Sequence, residues 1–239
     1  MKTSKTMPPS SSDKAITLSI PRSWLALTDE WRLYLCTIMA QGHHTPDEIK
    51  ALMLARMAHV RHTTLARITL QLAELMPMLD WIDQPPTSPA RLTQIGTHPA
   101  LDPMLDGVPL RTYLEVENYY QGYLMTQAPE ALTAIGQALY PGTEPHHFGP
   151  PEHLMLMMWL VGLKAEYANL FPHLFSHTAN PATDTPPDPR QTMVTLLRAL
   201  TGGDITKQQA VLSTPTLDAL TELDAKAEEA AELKAHTNH

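Results

Sequence analysis

Histidine is the residue type whose number in this chain could signal chemistry. There are 12, among them the adjacent pairs His43–His44 and His146–His147, the spaced pairs His59/His62 and His173/His177, and His153. Imidazole nitrogen is a good zinc ligand, and two histidines three or four positions apart on a helix share a face from which they can hold one ion. His59 and His62 have that spacing, and with His146 and His147 they form the candidate ligand set for a metal-dependent hydrolase. Distance argues against a site gathered from a single helix. With residues 45–60 as one helix, His43 and His44 lie ~24 Å from His59; His153 and His173 lie ~30 Å apart on a helix over 152–173. A metal centre would have to join pairs from different helices, and no His-Glu-x-x-His or Cys-x-x-Cys spacing marks one. Surface and helix-end positions are the favoured reading of the histidines, and no cofactor is expected.

Other reactive patterns are weaker still. Cys36, the single cysteine, sits in the apolar run Leu33 to Met39 and reads as a small buried side chain. There is no Gly-x-Ser-x-Gly elbow and no glycine-rich phosphate loop; Gly202-Gly203-Asp204 reads as a turn between helices. Glu115 and Glu117 are two apart and point to different faces, which makes them poor acid–base partners. Tyr113, Tyr119, Tyr120 and Tyr123 read as aromatic packing with hydroxyls at the rim rather than as a base-stacking platform. Met155, Met157 and Met158 read as core filling. The residues point away from an enzyme.

Charge separates the two halves of the chain. Residues 1–111 carry 11 lysines and arginines against 10 acids, whereas residues 112–239 carry 6 against 15. The acidic half repels nucleic-acid phosphates and favours a basic protein partner. Lys50, Arg56, Arg61 and Arg67 form the one local basic stretch, the basis for an alternative reading as a DNA-binding regulator. The apolar run Leu154–Leu163 stops at Lys164, about half of the ~20 residues a membrane span requires. Met1–Ser12 lacks the apolar core of a signal peptide, and one cysteine admits no internal disulfide, so a cytoplasmic or virion location is expected.

The elements that must position these residues are mostly helices. Proline is frequent, 22 in 239 residues, and it punctuates the chain. Thr28 followed by Asp29 and Glu30 predicts a helix start, with the helix ending at Gly42. Thr45-Pro46-Asp47-Glu48 predicts a second, carrying Ile49, Leu52, Met53 and Met57 on one face. Further helices are expected over 70–81, 110–127, 129–140, 152–171 and 190–201, with a last one from Thr214 onward. Residues 83–109 read as an ordered, proline-rich surface loop. Short strands are expected near 16–20 and 66–70. The fold expected is thus mainly α: a multi-helix globular core over 15–175, with at most a small two-stranded β element. A disordered tail over 1–14 precedes it. A Pro-rich linker over 176–189 leads to a C-terminal helical module over 190–239.

The last helix carries the candidate interaction residues. Leu217, Leu220 and Leu223, continued by Ala227 and Ala230, form a narrow apolar stripe, opposed by Asp218, Glu222, Glu228, Glu229 and Glu232. A stripe this thin suits docking onto a partner, which makes the segment a separable docking module.

Several stretches also resemble a known family. They are Ile16-Thr17-Leu18-Ser19-Ile20-Pro21-Arg22-Ser23-Trp24, Pro46-Asp47-Glu48-Ile49-Lys50, Leu79-Asp80-Trp81-Ile82-Asp83, Tyr120-Gln121-Gly122-Tyr123-Leu124, and Ala199-Leu200-Thr201-Gly202-Gly203-Asp204. Over most of residues 16–235 this pattern is similar to proteins of prophage-like and mobile elements in Bacteroidetes genomes. Met57-Ala58-His59 departs from the family, in which an aromatic and a small β-insertion follow the second helix. The resemblance carries no catalytic motif. It implies a role in phage morphogenesis, such as a tail-assembly chaperone or adaptor acting on other virion proteins.

Overall fold

A computed structural model describes residues 19–58, 74–175 and 189–237. Among these the chain is mainly α-helical, with one two-stranded sheet. The first two helices form where their caps predict. In α1 (Asp29–Ala40) the Thr28 side chain accepts the amide of Trp31. In α2 (Pro46–Met57) Thr45 and Glu48 satisfy each other's amides in a capping box with Pro46 at the start. Gly42, at φ +70°, makes the left-handed turn between them.

The helix expected over 70–81 differs from what forms. Residues 70–73 lie outside the described residues, and Met76–Asp83 winds as a 3-10 helix. Its three-residue turn stacks Leu79 above Ile82, and those are its two buried side chains.

The stretch 83–109 is a loop with one minimal hairpin, β1 (Gln94–Ile95) against β2 (His98–Pro99), turned at Gly96-Thr97. This small two-stranded element lies outside the stretches expected as strands. Of the stretches expected as strands, 16–18 and 66–70 lie outside the described residues, and Ser19-Ile20 carries no strand. A loop with so little secondary structure must satisfy its backbone elsewhere, and helix side chains do this. Arg32 donates to the carbonyls of Trp24, Leu25 and Arg91 and to the Asp29 carboxylate. Asp29 in turn accepts from the Thr93 amide and hydroxyl. Tyr140, Trp159 and Tyr167 donate to the carbonyls of Leu92, Pro103 and Met104.

Three helices build the centre: α3 (Leu110–Thr126), α4 (Pro129–Leu139) and α5 (Pro150–Leu170). The apolar run in α5 lies in the middle of the core, burying Met155, Leu156, Trp159, Leu160, Leu163 and Tyr167. Gly162 lets it press directly on the Ser88-Pro89 backbone, and Gly136 on α4 receives the ring of Phe148. A one-turn helix α6 (Pro172–Phe175) follows.

The C-terminal elements are α7 (Pro189–Thr201), α8 (Gln208–Ser213) and α9 (Thr216–Thr237); Gly202 and Gly203, both at positive φ, turn the chain after α7. They are stitched into the core. The Leu110 amide, which opens α3 without a side-chain cap, donates to the carbonyl of Thr214. The amide and hydroxyl of Thr216, a residue with no solvent exposure, both donate to the carbonyl of Val108 at 2.8 Å. Leu220 and Leu223 are 1% and 4% exposed and belong to the same hydrophobic core as α5. The first part of the stripe read as a partner's docking face is therefore covered by this chain itself: Leu220 and Leu223 are core residues, Leu217 and Ala227 are half-buried and Ala230 is exposed. Of the expected segments, 1–14 and the linker through 188 lie outside the described residues.

Candidate functional site

The outer half of α9 is what remains of the predicted interaction surface. Asp218, Glu222, Glu228 and Glu229 are exposed, Leu217 is half-buried against the core, and Lys226 pairs with Glu222 at 3.1 Å one turn away. From Glu228 to His236 every side chain is exposed, around the whole circumference of the helix. These last residues extend α9 by ~14 Å at 1.5 Å per residue. Little tertiary packing supports them; alanine, glutamate, leucine and lysine are the helix formers that suit such a stretch.

At the base of this extension α9 meets α6 through polar groups that the sequence reading missed. The carboxylate of Asp224 accepts from the Leu174 amide at 2.7 Å and lies 3.3 Å from His173 Nδ1. The other ring nitrogen, His173 Nε2, faces Glu228 at 3.9 Å. A signal for Asp224 was present: it falls on the inward side of α9, one turn after Leu220, where a charge demands a partner.

Of the histidine set, His146 and His147 fall among the described residues. His59 and His62 lie outside the described residues. His146 and His147 are exposed on a one-turn 3-10 helix with ring centroids 4.2 Å apart, His147 lying against Gly96. Among the described residues no three His, Cys, Asp or Glu side chains are arranged to hold a metal. His153 is a joint between helices: its Nε2 is 2.9 Å from the Thr133 hydroxyl, and burial lowers its pKa despite the opposing charges of Glu152 and Glu130.

Cys36 is fully buried, 3.9 Å from Met155 Sδ; burial, then the nearby Glu152 charge, push its thiol up to about 12. Of the basic stretch, Lys50 is buried between Asp80 and Asp83, which raise its pKa by accepting its hydrogen bonds. Arg56 pairs with Glu30 at 2.9 Å and lies over the rings of Tyr34 and Trp31. Two of its four charges are thus engaged with acids of this chain; Arg61 and Arg67 lie outside the described residues. The tyrosines of α3 pack largely as expected, with Tyr113 buried edge-on against Tyr167 and Tyr120 under Lys164, which pairs with Glu117.

Comparison with protein-family models, curated proteins and solved structures finds no match to the chain. No helix among the described residues is long and apolar enough to cross a membrane.

Proposed function

We propose that the chain is a non-catalytic interaction protein that presents the acidic outer face and extended end of α9 to a basic protein partner. The observation that carries this reading is the continuation of α9 past its packed half: it stays helical from Glu228 onward, exposed on all sides, and carries Glu228, Glu229 and Glu232. A rigid acidic rod of this kind speeds encounter with a positively charged surface. The resemblance to prophage-element proteins supports an adaptor or assembly chaperone for tail or virion components, working in the host cytoplasm or within the particle.

The test is binding of the full chain to purified phage tail-tube and tape-measure proteins. Affinity should fall with rising salt, and combined E222Q, E228Q, E229Q and E232Q substitutions should slow association about tenfold, as expected for charges at an interface rim. Binding that ignores both salt and these substitutions would overturn the acidic-face reading.

A further inference from the structure

We draw no further inference here: the strongest candidate, the small cavity between the hairpin, α4 and α5, is water-sized and walled mainly by Leu92, Ile95, Leu139, Met155, Leu156 and Trp159, and nothing among the described residues shows what it would select.

Discussion

A methyl group on Gly162 would sit 2.2 Å from the carbonyl oxygen of Ser88, a backbone atom with little room to yield. Gly162→Ala should therefore cost at least the 1–3 kcal/mol typical of overpacking, read as a lower urea midpoint with an unchanged slope. The neighbouring chemistry is equally constrained at Cys36. Only the thiolate alkylates, and a thiol buried against Met155 and pushed up to about 12 is both unreachable and protonated at neutral pH. Iodoacetamide should leave the native protein unmodified at pH 8 over hours and label it within minutes in denaturant; rapid native labelling would show that α1 opens readily. Cys36 was legible from its apolar neighbours. Lys50 was not: its type suggested a surface charge, and the exposed aspartate pair under which it is buried comes from residues 30 and more positions away.

Elements were legible where their signals are local. Thr28, Thr45 with Pro46 and Glu48, and Pro129 mark helix starts through groups within one turn, and the helices begin there; α5 instead begins at Pro150, two residues before the start expected at 152. The hairpin at 94–99 has two-residue strands, too short for any alternation to show. The loop around it is ordered by side chains as distant as Tyr167, which donates across 63 positions to Met104. No local pattern encodes such a bond.

The joint between α4 and α5 yields a pH prediction. Burial lowers the pKa of His153, so the folded state holds its proton less tightly than the unfolded chain. Its contribution to stability is present above the ordinary histidine value of about 6.5 and is lost as pH falls through the lowered one. Between pH 7.5 and 5.5 the native protein should lose more stability than H153Q, in which the side chain stays neutral; parallel curves in thermal melts would count against the buried joint.

At the scale of the molecule, the Pro-rich stretch 176–189 suggested two separable parts, whereas the chain closes on itself across them. Leu197, Leu220 and Leu223 are buried, and each contributes roughly 1.5–3 kcal/mol in transfer terms, together a large share of a typical domain's net stability. Removing residues 190–239 would expose the core face that these side chains cover and leave the Leu110 amide and Val108 carbonyl without their partners. The truncated chain should lose its cooperative unfolding transition or aggregate; a sharp transition near that of the full chain would restore the separable module. Charge asymmetry and helix content were readable from composition, but this closure was not, because it depends on backbone bonds between Val108 and a threonine 108 positions later.

That closure also sets a clock. Synthesis at about 5–20 residues per second places on the order of 5–20 s between the appearance of Val108 and that of Thr216. Throughout this interval the nascent chain holds α3 and the apolar helix α5 without the segment that covers them. The core is finished only when α9 has left the ribosome, and in those seconds the nascent chain exposes the apolar face that Leu220 and Leu223 later cover.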